Sequence, residues 1–554
     1  MSAAVLTLGQ ATYVASKDDH LWLLNVQRKL HAQSRDHLDY VFEKLWGLIT
    51  DLRNLRIAFV RVRRNRGARS PGVDRITVRQ ILTHGVEPFL AEIRNDLRAG
   101  TFRPMPVRRV LIPKAGKPGA HRPLGIPTVK DRVIQAAMKN ILEPIFEADF
   151  YPVSYGFRPG KCVHGAMAHL KTLLQPRGMK RWKKAETLPF QWAIEGDIKA
   201  CFDNIDHHGL MERVRRRIGD RKINRLLVAF LKAGVLTETQ LVRTERGTPQ
   251  GGILSPLLSN IALSVIEEKY ERHAWPRTTR TRLSTEGRPS VTRTDPESIA
   301  RRACENRAND NRRDRPVFMP IRYADDFIIL VGSRDGDAQS LADQEKASLA
   351  RMLESSLSLM LSEEKTLVTP VTSTMRFLGH NLRVRAHPTS GALLPRVVIP
   401  KERTQRLRRN IKAIFRRTTC TKTLESRFLL LNLVLRGWAN FYKHAWGAKH
   451  VFTGIDHYVW WTIRRWLRKK HPDSPMRDLH KEFGWRKPRG RMIRWRAGKT
   501  YPVILSPTRV RPFRLAWQKT PAFASTPMES PVRNERRTPG SAKGVQKPRG
   551  ETHG

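Results

Sequence analysis

Acidic side chains are scarce in this chain: 50 Asp and Glu stand against 103 Lys and Arg, a formal net charge of +53 over 554 residues. Self-repulsion of that size works against a compact monomer, and a polyanion is the partner that relieves it. Cysteine is scarcer still. The four present, Cys162, Cys201, Cys304 and Cys420, form no C-x-x-C pair, which argues against a disulfide framework and the common zinc modules. Long apolar runs are also missing. No uncharged stretch reaches the roughly eighteen residues of a membrane span, and the opening MSAAVLTLGQ lacks the basic n-region of a secretory signal. The expected setting is cytoplasmic, in the cytosol or on the nucleoid, with no membrane.

What is present is Arg and Lys along the whole length, interleaved with 13 Trp, 9 Tyr and 20 Phe. That mixture fits nucleic-acid binding, with strong salt dependence through counterion release. A membrane surface would instead collect the basic residues on one amphipathic segment.

The length suggests roughly three to four domains. Residues 1–69 read as a helical extension, with Leu38, Val41, Leu45 and Leu48 recurring at three- and four-residue steps. Residues 70–395 mix strand and helix signals with Gly/Pro punctuation, as in an α+β core. Two basic insertions interrupt it, a short one at 176–187 and a longer one at about 276–315 that is poor in large apolar residues. The longer one is expected to lack structure without nucleic acid. Residues 396–475 turn helical and basic. Leu431, Val434, Leu435, Trp438 and Tyr442 make one apolar stripe, and Ile455, Val459, Ile463 and Trp466 another. Residues 476–520 alternate basic and aromatic residues and are expected to bind nucleic acid, and 521–554 form a basic Pro/Ser/Arg-rich tail expected to be disordered.

The sharpest signal is IRYADDFIILVG at 321–332. Asp325 and Asp326 sit between two apolar strand-like runs with no turn glycine. Neighbouring strand residues face opposite ways, so both carboxylates can serve one site only on a tight strand-to-strand turn. Two such charges side by side call for a cation, although an isolated Asp-Asp pair is more often a solvated turn. A second segment, WAIEGDIKACFDNIDHHGL at 192–210, reads as a strand ending in Asp197 and entering a helix. Carboxylates at the ends of neighbouring strands can converge on a metal pair; an N-cap is the other reading of Asp197.

The order and wording of the blocks resemble the reverse transcriptases encoded by group II introns, from about Ser70 to about Pro472. These blocks are SPGVDRITV at 70–78, RRVLIPKAGKPGAHRPLGIPTVKDRVIQAAM at 108–138, SYGFRPG at 154–160, RGTPQGGILSPLLSNIAL at 246–263, YADD at 323–326, LSEEKT at 361–366 and RFLGHNL at 376–382.

The resemblance implies a right-hand polymerase, with fingers and an antiparallel palm sheet, followed by an α-helical thumb/maturase domain. It implies RNA-directed DNA synthesis with two Mg²⁺ ions, Mn²⁺ being left open. The ions would be held by Asp197, Asp325, Asp326 and the backbone carbonyl of Ile198. Lys114, Arg122, Phe202, Gln250 and Lys365 would serve the incoming nucleotide, Phe202 by excluding a 2′-hydroxyl. Arg158, Pro249, Gly251, Tyr323, Ala324, Phe377, Leu378 and Gly379 would serve template and primer. Arg464, Arg465, Arg468 and Lys469 are candidate contacts to intron RNA. The implied partners are intron RNA, an RNA template with DNA primer, target DNA and dNTPs, and a homodimer is left open. The family's terminal H-N-H module carries paired cysteines; none follow Cys420, so that module is not expected. Two alternatives use the same residues: an RNA-binding maturase with a vestigial polymerase, and an intron-derived enzyme recruited to host defence or DNA repair. Gene neighbourhood separates them from an intron-resident enzyme.

Overall fold

Both apolar runs beside the Asp-Asp pair are strands of one sheet. In the computed structural model, Val317–Tyr323 pairs with Asp326–Gly332, which pairs with Trp192–Asp197, which pairs with Leu367–Pro370, every pairing antiparallel. The structure describes residues 13–524 apart from 114–118, 120, 177–187, 237–240, 243–245, 248–250, 277–295, 335–336 and 486–492.

Beyond Asp326 the strand Asp326–Gly332 is uniformly apolar because both of its faces are buried there. Phe327, Ile329 and Val331 enter one core, with the helices Ser255–Lys269 and Ala338–Leu357; Ile328 and Leu330 enter a second, with the helix Val163–Leu173. Where these cores meet the strand Trp192–Asp197, Gly196 faces Phe327, and a Cβ on Gly196 would lie 2.1 Å from the Phe327 ring. Gly196→Ala is therefore expected to cost ~2–3 kcal/mol through overpacking. Gly437, inside an exposed helical face with nothing within 4 Å of its missing Cβ, should respond oppositely. Ala there should add ~0.5–1 kcal/mol. Denaturant midpoints of the two variants give the comparison; two changes of the same sign would contradict this packing account.

The N-terminal region is helical but broken. Lys17–Asp36 starts on a Ser16/Asp19 capping box, and Leu52–Arg64 starts on Asp51. Both helices pack on Val129–Asp149. The expected stripe of Leu38, Val41, Leu45 and Leu48 is not a helical face. The chain leaves the helix at His37, Leu38 and Val41 are exposed, and Phe42 takes the buried place through a bridge to Ile218.

The longer insertion also differs from expectation, because Pro296–Arg312 is a helix. Its apolar content is low, but its docking is polar: Asp310 accepts from Arg272 Nε at 2.7 Å, and its Oδ2 lies 3.0 Å from His273 Nε2. A periodicity search for apolar residues cannot detect such an anchor. Residues 277–295, and 177–187 of the shorter insertion, lie outside the described residues.

A three-stranded sheet (Met375–Phe377, His380–Ala386, Leu393–Val398) leads into the helices Lys401–Ile414, Leu424–Tyr442, Ala448–Lys470 and Met476–Phe483. Both expected stripes face a third core: Leu431, Leu435, Tyr442, Ile455, Val459, Ile463 and Trp466 are buried, and Val434 and Trp438 pack against them. Leu479, Trp495 and Leu505 belong to that same core. The stretch beyond 475 is thus partly interior. Trp495 is accommodated because its indole N–H donates to the Trp460 carbonyl at 3.1 Å. The overall class is α+β. Among the described residues no helix is long and apolar enough to cross a membrane. The tail at 525–554 lies outside them.

Candidate active site

Asp197 and Asp326 are direct cross-strand partners, and Tyr323 pairs with Asp326 on the other side, leaving Ala324 and Asp325 as a two-residue turn. Such a turn needs a positive φ, and Ala324 supplies it at 59° where glycine is the usual choice. Gly156 packs against this turn so closely that a Cβ on it would lie 2.2 Å from the Ala324 nitrogen.

After Asp197 the chain makes a bridge between Ile198 and Leu361, closed by Lys199 N–H to the Met360 carbonyl and Ser362 N–H to the Asp197 carbonyl. The Ile198 carbonyl points away from that bridge. The short helix Cys201–Asn204 is capped by Ala200, so Asp197 is not its N-cap.

The carboxylates repel one another. Asp326 is pushed up to about 6, by burial first and then by Asp325 and Asp197. Asp325 is raised by burial and by Asp197, against a lowering pull from Arg122 and Lys365. Lys365 Nζ sits 2.5 Å from Asp197 Oδ2, but its side chain is 59% exposed, so screening leaves that pair weak. Net negative charge therefore collects where the strands end.

Arg122, on His121–Ile126, is exposed and close enough to act on Asp325. Phe202 is half-buried, with its ring edge-on to Phe157 at 6.2 Å. Gly251 has φ 116°, and a Cβ there would meet the Gly125 carbonyl at 2.4 Å. Lys114, Pro249 and Gln250 lie outside the described residues. Phe377 is buried, and Leu378 and Gly379 form a positive-φ turn whose Gly379 carbonyl accepts from the Tyr442 hydroxyl at 3.1 Å.

Arg465, Arg468 and Lys469 are exposed on Ala448–Lys470, away from its buried stripe, while Arg464 lies over the Trp461 ring at 5.1 Å. Arg158 does not fit a template-phosphate role. It is buried, donates to Glu147 from Nε and Nη2, and spends Nη1 on the Tyr151 and Ser154 carbonyls. An ion pair inside a motif block looks the same in sequence as a phosphate contact.

Residues 112–382 match the reverse transcriptase (RNA-dependent DNA polymerase) family, and residues 404–484 match the group II intron maturase-specific domain. The chain belongs to the group II intron type of reverse transcriptase with a maturase domain. Among curated relatives, it is 33% identical to the protein YkfC of Escherichia coli strain K12 over 390 residues, covering 70% of this chain and 95% of YkfC. It is 35% identical to the group II intron-encoded protein LtrA of Lactococcus lactis over 390 residues, covering 66% of this chain and 60% of LtrA. A 91 kDa protein in the cob intron of Schizosaccharomyces pombe is 32% identical over 332 residues, covering 54% of this chain and 38% of that protein.

Proposed function

We propose that this chain copies RNA into DNA and also binds intron RNA to assist its splicing and mobility, with Asp197, Asp325 and Asp326 as the catalytic carboxylates. The observation that carries the reading is the register. It places Asp197 opposite Asp326 with Asp325 on the adjoining turn, three acids at one end of a buried sheet. In this reading the sheet is a polymerase palm, the hairpin bearing Arg122 belongs to the fingers, and the helices after Lys401 form the thumb and maturase domain.

The donor set fits divalent cations: hard oxygen ligands, of which Asp325 and Asp326 are raised by burial first and then by neighbouring carboxylates. Among the described residues no group of three or more His, Cys, Asp or Glu side chains is drawn together tightly enough to hold a metal ion by itself. Mg²⁺ binds through one or two carboxylates and takes its remaining oxygens from substrate phosphates and water. Two bound ions would supply activation of a primer 3′-hydroxyl and charge stabilisation at the transferring phosphate. Asp197, Asp325, Asp326 and the Ile198 carbonyl would hold them. Arg122, with Lys114 and Gln250, orients the triphosphate, and Lys365 neutralises charge beside Asp197. Phe202 closes the space that a 2′-hydroxyl would need. Gly251 and Pro249 would serve the template, with Tyr323 and Ala324 at the catalytic turn and Phe377, Leu378 and Gly379 serving the primer. Arg464, Arg465, Arg468 and Lys469 face RNA.

The raised carboxyl gives a test apart from synthesis. Asp326 moves from 3.8 to about 6 on folding, so the folded state holds that proton more tightly than the unfolded chain does. This contribution to stability is present below the unfolded value and is lost as pH rises through about 6. A cation offsets the repulsion only once the acids ionise. Added Mg²⁺ should therefore raise Tm more at about pH 7.5 than at about pH 5. Equal shifts at both pH values would contradict the assignment of the carboxylates as the cation site.

A further inference from the structure

Directly before the catalytic turn stands Arg322, with a side chain that is 0% exposed and paired to Glu267, also 0% exposed, through Nε to Oε1 at 2.7 Å. Burying two ions removes more hydration than one ion pair returns, so a pair in this position is poor evidence of a stabilising device. The other arms of the fork show a different use. Nη1 donates to the Ala324 carbonyl and to Asn260 Oδ1, both at 3.1 Å, and Nη2 donates to Ser154 Oγ at 2.9 Å. The main chain of Arg322 is fixed on both sides as well: its N–H donates to the Val153 carbonyl at 3.0 Å, and its carbonyl accepts from Tyr155 N–H at 2.9 Å.

The Ala324 carbonyl belongs to the peptide that carries the Asp325 N–H. Holding that carbonyl fixes the peptide plane from which Asp325 projects, beside a non-glycine residue kept at a positive φ of 59°. Asn260 closes the frame from below. Its Nδ2 donates to the Gly156 carbonyl at 2.8 Å, and Gly156 is the residue in closest approach to Ala324. Asn260 and Glu267 lie two turns apart on one face of a single helix, Ser255–Lys269, which begins just after Gly251. One rigid element therefore connects the Gly251 loop to the acids.

We infer that Arg322 is a positioning residue for catalysis: anchored by Glu267 and Asn260, its guanidinium fork sets the Ala324–Asp325 peptide and thereby aims the Asp325 carboxylate. The inference rests on the polymerase reading given above. Lysine cannot substitute, because it keeps the charge for Glu267 but lacks the planar arms that reach Ala324, Asn260 and Ser154 together.

The test compares wild type, R322K and the double variant R322M/E267L, the last removing both buried charges. Tm, retention of a structured RNA, and kcat and KM for dNTP on an RNA template with DNA primer are measured for each. The expectation is that both variants fold, melt within about 5 °C of wild type and retain RNA, while kcat falls about thirtyfold or more with KM changed less than about threefold. A folded variant with kcat within about threefold of wild type would overturn the inference. So would failure of both variants to fold, since the pair would then serve stability. An inactive wild type would instead overturn the polymerase reading, which keeps the two failures apart.

Discussion

Changing Asp325 and Asp326 together to Ala is expected to lower primer extension on an RNA template by roughly 10³-fold or more, since the charge stabilisation lost is worth several kcal/mol. The same change should leave RNA binding within about twofold, because binding draws on basic side chains distributed over the whole chain. Stability should not fall. The two carboxyls are held above their ordinary values by burial and by mutual repulsion with Asp197, so removing them relieves an unfavourable contact, and Tm without Mg²⁺ should hold or rise. Primer extension, filter binding and thermal melting of the same preparation give the three readouts. A double variant that still extends primers would show that the acids are placed for something else. One that loses RNA binding in parallel would point to misfolding.

The second large effect concerns the sugar. Phe202 is half-buried, and Phe157 stands edge-on to it with ring centroids 6.2 Å apart and planes at 75°. Replacing it with Val or Ala removes the ring and leaves the fold around it, since Phe202 is not part of a buried core. Discrimination against rNTP should then drop by about ten- to a hundredfold, the range available to a purely steric pocket. Single-nucleotide insertion of matched dNTP and rNTP measures it. An unchanged ratio would place the sugar elsewhere.

Much of this site could be read before its geometry was known. Two adjacent acids between apolar runs required a tight turn, and the register of Tyr323 with Asp326 provides one. The parts that escaped are those where sequence carries no distinguishing mark. A positive φ at Ala324 or Phe157 has no signature when the residue is not glycine. Arg322 reads as one more cation in a basic chain, and only burial separates it from the exposed Arg465 or Arg468. Arg158 misled in the opposite direction, its phosphate-like surroundings in the motif being an internal pair with Glu147.

The fold shows the same division. The helical stripes after residue 430 and the uniformly apolar run at 327–332 follow from period and burial alone. The helix Pro296–Arg312 did not, because Asp310 anchors it through Arg272 and His273 rather than through an apolar face. In the N-terminal segment, spacing that suited one helix falls after the helix end at His37, on a non-helical stretch up to Leu45 and the short helix Trp46–Ile49.

The central claim is templated synthesis of DNA on RNA, and one measurement addresses it directly. Purified chain is incubated with an RNA template, an end-labelled DNA primer, four dNTPs and Mg²⁺, and products are resolved by length. Extension to the template's end, with incorporation following the template's bases and abolished by omitting Mg²⁺, is the predicted result. A purified chain that binds the primed template yet adds no nucleotides, or adds them regardless of template sequence, would contradict it.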